Sequence, residues 1–202
     1  MLIKPEKYDE VQVNQDFERI ELGGHKGIIK KVEQYTNIQT GNTSLKVEVD
    51  TAADDKQPNY FQEQYDNDTR TDRKWSNAGT KYVSLKDDEN CVKMLKAFIT
   101  AVENSNANFT YNWAGEETQL IGKKVGLVFG LEEYEDQEGK LKTASKITQF
   151  RSIDKIDSVK IPKVKLLNGT LVEYEKYSAP TTSNKVEEDF EDTVEITDDI
   201  LD

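Results

Sequence analysis

Apolar and polar residues alternate along Leu45-Lys46-Val47-Glu48-Val49-Asp50, the two-residue period of a strand with one buried face. The run His25-Lys26-Gly27-Ile28-Ile29-Lys30-Lys31-Val32-Glu33-Gln34-Tyr35 precedes it, and Thr40-Gly41-Asn42 between the two predicts a hairpin. A second hairpin is predicted from Lys124 to Tyr134 and from Leu141 to Arg151, joined by Asp136-Gln137-Glu138-Gly139-Lys140, whose glycine permits positive φ. Between the hairpins, Asp87 or Asp88 can cap a helix running to about Asn104, with Val92, Leu95, Phe98, Ile99 and Val102 on one face. Cys91 and Met94 lie on or beside that face and read as core filler.

Two strands, an insertion, a helix and two more strands are the order of a mainly β fold. They predict an oligonucleotide-binding type of Greek-key barrel with one inserted α-helix. The barrel is expected over residues 21–165, after an N-terminal arm at 1–20. A linker at 166–185 contains Ser178-Ala179-Pro180-Thr181-Thr182-Ser183-Asn184, which has almost nothing to bury, and a disordered acidic tail follows at 186–202.

Charge sharpens this division. The chain has 202 residues, 33% of them charged, and a net charge of −12. Residues 186–202 hold nine acids and no base, which leaves 30 acids and 27 bases in the rest. The body is therefore close to neutral, and Lys140 to Lys165 contains eight bases against Asp154 and Asp157 alone. Phe190, Asp198, Asp199, Ile200 and Leu201 give the tail the acidic-apolar character of a short partner-binding peptide.

No apolar run approaches the roughly 18 residues that span a bilayer, and the start of the chain has no signal-peptide apolar region, so a cytoplasmic protein without a membrane is expected. One cysteine and one histidine cannot build an intrachain disulfide or a Cys/His zinc site. His25 is expected as a solvent-facing ring at a strand start, without a chemical role. The doublets Asp54-Asp55, Asp87-Asp88, Glu116-Glu117 and Glu132-Glu133 read as solvated loops rather than metal clamps, so no cofactor, metal or catalytic group is assigned.

Aromatic and basic residues interleave along Tyr60-Phe61-Gln62-Glu63-Gln64-Tyr65, Arg70-Thr71-Asp72-Arg73-Lys74-Trp75 and Lys81-Tyr82. A single strand of nucleic acid needs both types: flat rings restore about 1 to 3 kcal/mol of stacking per base, and cations neutralise phosphates. Candidate phosphate contacts are Lys30, Lys31, Lys46, Arg70, Arg73, Lys74, Lys81, Lys146 and Arg151, and candidate stacking rings are Tyr35, Tyr65, Trp75, Tyr82 and Phe150. Trp113, between Asn112 and Ala114, is expected as a lid on the core. An acidic DNA mimic that binds no DNA is the alternative, and it is disfavoured because the excess acid lies in the tail. A metal-dependent nuclease is the third class, with the thinnest support in the residues.

The segments Trp75-Ser76-Asn77-Ala78-Gly79-Thr80-Lys81-Tyr82, Phe98-Ile99-Thr100-Ala101-Val102-Glu103-Asn104-Ser105-Asn106 and Leu120-Ile121-Gly122-Lys123-Lys124-Val125-Gly126-Leu127-Val128-Phe129-Gly130 resemble a phage-encoded family of single-stranded-DNA-binding proteins from replication and recombination cassettes. The resemblance runs over about residues 20–155. It implies an oligonucleotide-binding fold, non-catalytic coating of single strands and a setting in the bacterial host cell during phage infection. The tail is similar to those of bacterial single-strand-binding proteins, which recruit replication and recombination partners, although Asp198-Asp199-Ile200-Leu201-Asp202 lacks their Pro-Phe ending. An exposed barrel edge leaves a homo-oligomer open.

Overall fold

The computed structural model describes Lys4 and residues 18–177. The expected disordered tail, with Phe190, Asp198, Asp199, Ile200 and Leu201, lies outside the described residues, as does the linker from residue 178 onward.

The two predicted hairpins form. Strands β1 (Gly23–Thr36) and β2 (Thr43–Thr51) pair antiparallel, as do β4 (Lys124–Glu135) and β5 (Leu141–Arg151). Gly41 and Gly139, in the two turns, have φ of 68° and 76°, a region that glycine enters without steric cost. Strand β3 (Thr80–Ser84) pairs with β2, and helix α2 (Glu89–Ser105) follows it. Asp88 caps α2 by accepting a hydrogen bond from the Cys91 N–H.

These strands belong to one mixed sheet of seven, in the order β3-β2-β1-β4-β6-β7 with β5 on β4. The two short additions are β6 (Val164–Lys165), parallel to β4, and β7 (Leu171–Val172). The sheet is not a closed barrel: among the described residues no backbone ladder joins β3 to β5. Helix α2 packs on β3, β4 and β5 instead, and its Phe98 ring stacks against Phe150 at a centroid distance of 4.6 Å. Phe98, Phe129, Phe61, Ile29, Leu127 and Ile147 are almost fully buried, each contributing roughly 1.5 to 3 kcal/mol of hydrophobic free energy.

Several expectations change. Residues 60–67, read as part of a long insertion, form helix α1 (Tyr60–Asn67). Its start is fixed from a distance: the buried Asp50 carboxylate accepts from the Phe61 N–H at 2.8 Å and the Gln62 N–H at 3.4 Å. Burial raises the Asp50 carboxyl above its ordinary value, against the pull of those donors. Val92 and Met94 on α2 are exposed, so the buried face of the helix begins further along, at Phe98. The body also continues past 165, because β7 and a 3-10 turn at Tyr174–Lys176 bring the Tyr177 hydroxyl to within 2.9 Å of Glu133 Oε1. Burial first, then that hydrogen bond and the Glu133 charge, push the Tyr177 phenol up to about 12.

His25 is the clearest reversal. Its ring is 1% exposed, packs edge-on against Phe129, and places Nδ1 2.8 Å from Asp55 Oδ1 and Nε2 3.1 Å from the Glu21 carbonyl oxygen. Inward alternation along β1 points this residue at the core, where its two polar atoms tie residue 21 to the loop after β2. Among the described residues no helix is long and apolar enough to cross a membrane.

The close approach of β1 to the 3-10 turn at Ile153–Ser158 depends on Gly24, since a Cβ there meets the Ile156 carbonyl oxygen at 2.3 Å. Gly24→Ala is expected to lower stability by about 1 to 3 kcal/mol, read from the urea midpoint; an unchanged midpoint would show that the turn moves aside freely. Burial acts to raise the Asp55 carboxyl, but hydrogen bonds from His25, Gln57 and Lys26 outweigh it and hold it below its ordinary 3.8. A depressed carboxyl stabilises the fold above its unfolded pKa and loses that contribution as pH falls through the folded value. Asp55→Asn should therefore cost about 1 to 3 kcal/mol at pH 7, and progressively less in denaturation series carried below about pH 4.

Candidate nucleic-acid interface

Strand alternation sorts the candidate residues onto two sides of the sheet. On the outer side, β1 presents Lys31, Glu33 and Tyr35, β2 presents Lys46 and Glu48, and β3 presents Thr80 and Tyr82, with the pairings Lys31 to Glu48, Glu33 to Lys46 and Lys46 to Tyr82. The loop from α1 to β3 borders this face and brings Tyr65, Arg73, Lys74, Trp75 and Asn77 to the same hollow of about 560 Å³.

Two aromatic pairs stand on this face, and Tyr82, Tyr65 and Trp75 of them line the hollow. Tyr35 and Tyr82, 42% and 48% exposed, stand with ring centroids 5.3 Å apart. Tyr65 and Trp75 are 5.8 Å apart, and the Arg73 guanidinium lies 4.5 Å from the Tyr65 ring centre. Trp75 is half-buried: its indole Nε1–H donates to the Val49 carbonyl at 3.2 Å, which fixes the ring's orientation and leaves one side to the hollow.

The cations on this face are unequal. Lys46 is bonded to Glu48 at 2.6 Å and lies 3.4 Å from Glu33, while Lys31 is 2.6 Å from Glu33. Lys31 first, then Lys46, holds the Glu33 carboxyl below its usual range, and Glu48 raises the Lys46 ammonium. Arg70 is turned back onto Asp68, whose carboxyl it brings down to about 2. Arg73 and Lys74 are exposed and make no carboxylate ion pair among the described residues. Lys30 is also exposed, at the bulge between Ile29 and Lys31, outside the lining of the hollow.

The remaining candidates sit elsewhere. Phe150 is 9% exposed and packs in the core against Phe98, so its ring is unavailable for stacking. Lys81 alternates inward, opposite to Tyr82, and its ammonium donates to the carbonyls of Ile147 at 2.8 Å and Thr148 at 3.2 Å. Burial holds that ammonium below the ordinary lysine value. Lys81 thus bridges β3 to β5 where no ladder does. Lys146 Nζ reaches the Asn77 carbonyl at 3.5 Å, and Arg151 donates to Gln149 Oε1 at 2.8 Å. Trp113 is 69% exposed beside Tyr111, on the outside of the fold rather than over its core.

Three of the four acidic doublets contain groups with structural partners: Asp54 with Lys26, Asp55 with His25, Asp88 at the α2 cap, and Glu132 and Glu133 with Lys165 and Tyr177. Glu33 and Glu48, which pair with two of the four cations of the face, Lys31 and Lys46, escape a reading of basic and aromatic residues alone. Their positions opposite Lys46 and Lys31 follow only from the register of β1 on β2. Compared with known protein families and with curated proteins, the chain finds no match in either.

Replacing Lys81 by methionine removes both donors across the seam and is expected to lower stability by about 1 to 3 kcal/mol in urea denaturation. A midpoint equal to that of the wild type would assign closure of the seam to α2 alone.

Proposed function

We propose that this protein binds single-stranded DNA without sequence specificity and without catalysis, on the outer face of β1, β2 and β3. The observation that carries the reading is two aromatic couples on one face, Tyr35 with Tyr82 and Tyr65 with Trp75, three of whose rings, Tyr65, Trp75 and Tyr82, line one hollow with Arg73 and Lys74. Unstacked bases gain stacking on such rings regardless of sequence, and the cations neutralise the backbone passing between them. With Lys31 and Lys46 tied to glutamates, stacking carries more of the affinity and Arg73 and Lys74 more of the phosphate contact.

The strand pairing supports an oligonucleotide-binding fold opened along one line. The three-strand meander β1-β2-β3, a helix between β3 and β4, and β4 returning to β1 with β5 beside it have that fold's connectivity, short of the β3–β5 ladder. In this reading the chain serves phage replication and recombination in the host cytoplasm, as the resemblance implies, and residues 186–202 recruit partner proteins. An acidic mimic finds less support, because on the outer face of the body Glu33 and Glu48 are matched by Lys31 and Lys46, and Arg73 and Lys74 are left without a carboxylate ion pair among the described residues.

A fluorescence titration with oligo(dT) at two salt concentrations tests it, using Trp113→Phe so that Trp75 is the one reporting indole. Quenching with an affinity that falls steeply with salt is expected, and Tyr82→Ala should weaken binding by about 1 to 3 kcal/mol. Absence of any quenching or binding at low salt would overturn the proposal.

A further inference from the structure

A cluster of cations without carboxylate ion pairs among the described residues lies away from the aromatic face. The 3-10 turn Ile153–Ser158 and the segment after it fold against the end of β5 and enclose a hollow of about 410 Å³ lined by Gln149, Arg151, Lys155, Ser158 and Lys160. Arg151, Lys155 and Lys160 are exposed and form no ion pair with a carboxylate among the described residues. Their neighbours differ: Lys163 is held by Glu173 at 2.7 Å and Lys165 lies 3.4 Å from Glu132. The nearby Asp157 acts on Lys26, whose ammonium it helps to raise. Three cations without a carboxylate ion pair among the described residues surround one hollow that has Val128, Val159 and Pro162 but no acid in its lining; Arg151 donates to Gln149 and the Ser158 hydroxyl to the Lys155 carbonyl, and the two lysine ammoniums with the remaining guanidinium N–H groups suit phosphate oxygens.

This hollow adjoins the seam between β3 and β5, beside the proposed binding face. Gln149 and Arg151 also line a second hollow of about 290 Å³ in the open seam between β3 and β5, floored by Phe98 and walled by Lys93 and Met94. Lys81 stands at the inner side of that seam, and its strand neighbours Thr80 and Tyr82 line the aromatic hollow. Lys146, hydrogen-bonded to Asn77 of the aromatic hollow, spans the ground between them. The three concavities thus follow one another around the edge of β5.

We infer that a single strand seated on the aromatic face continues across the β3–β5 seam and is held at its far end through its phosphates by Arg151, Lys155 and Lys160. This rests on the binding reading above and adds a direction and a second anchoring point to it. The ligand chemistry is the phosphodiester backbone, so the anchor is blind to base sequence and counts only for strands long enough to reach it.

The test uses the full chain with Arg151→Gln, Lys155→Gln and Lys160→Gln combined, and with the Lys155→Gln, Lys160→Gln pair, which spares the Arg151 stem in the seam. Both are compared with the wild type on an oligo(dT) length series. Short oligonucleotides that fill only the aromatic face should bind all three proteins alike. On long ones the wild type should gain affinity that the triple variant loses by tenfold or more, with a salt slope lower by about 2 for three lost contacts to a single strand. The paired variant should show an intermediate loss.

Equal affinities and slopes at every length, with Trp75 still quenched, would overturn the second anchor and leave the face reading standing. No binding by the wild type at any length would overturn both. Tighter binding of long strands by the triple variant would give these cations to an acidic protein segment and overturn the inference. Protection of the wild type by inorganic pyrophosphate, with no effect of the substitutions on the length series, would make the hollow a free-phosphate site and overturn it too.

Discussion

Strand β1 is shared by both halves of the sheet, and this sharing sets where everything else can stand. Gly23 to Ile28 pair with β4 while Gly27 to Thr36 pair with β2, so the strand must turn from one partner to the other over a few residues. The register shift between Ile29 and Lys31 makes that turn, and it places Ile29 and Val32 in the core with Lys30 and Lys31 both outside. Side chains alternate along a strand, so slipping β1 by one residue on β2 would send Val32 to water, away from Val47, and draw Lys31 inward, away from Glu48. The burial of Val32, Val47 and Val49 therefore fixes the position of Tyr35 and, through β2, that of Tyr82.

Charge is arranged on the scaffold in two ways. Across β1 and β2, lysine and glutamate stand opposite one another and largely satisfy each other, which keeps an exposed sheet soluble and lets flat rings dominate its character. Around the end of β5 and the turn after it, Arg151, Lys155 and Lys160 have no carboxylate ion pair among the described residues. A chain with a net charge of −12 thus still presents, among the described residues, cations that no carboxylate pairs. Net charge is a poor guide to what a particular surface attracts.

The hairpins, their turns, helix α2 and its Asp88 cap were legible from period, glycine placement and capping chemistry, because each is decided by residues close in sequence. Helix α1 was not, since Asp50, ten residues before its first turn, supplies the oxygen that accepts its leading N–H groups. Lys81 and Tyr82 were grouped as neighbours in sequence, yet adjacent strand residues face opposite ways, and only the pairing of β3 with β2 shows which of them goes inside. His25 looked solvent-facing because a polar ring beside glycines suggests a surface, whereas Asp55, thirty positions on, gives it a buried partner. The aromatic and basic composition of the outer face was readable; the glutamates that temper it, and the hollow at the far end of β5, needed the register and the fold.

The seam between β3 and β5 leaves two strand edges without a ladder, and such edges ordinarily invite a stray strand from another molecule to add itself. Here the ammonium of one inward lysine occupies the carbonyls of Ile147 and Thr148, and the phenylalanines of α2 and β5 fill the space beneath. An intruding backbone would have to displace a charge from its acceptors before gaining a single hydrogen bond. The gap that makes the sheet incomplete is in this way guarded against templated aggregation, and crowded copies of the chain can stand shoulder to shoulder without knitting their edges together.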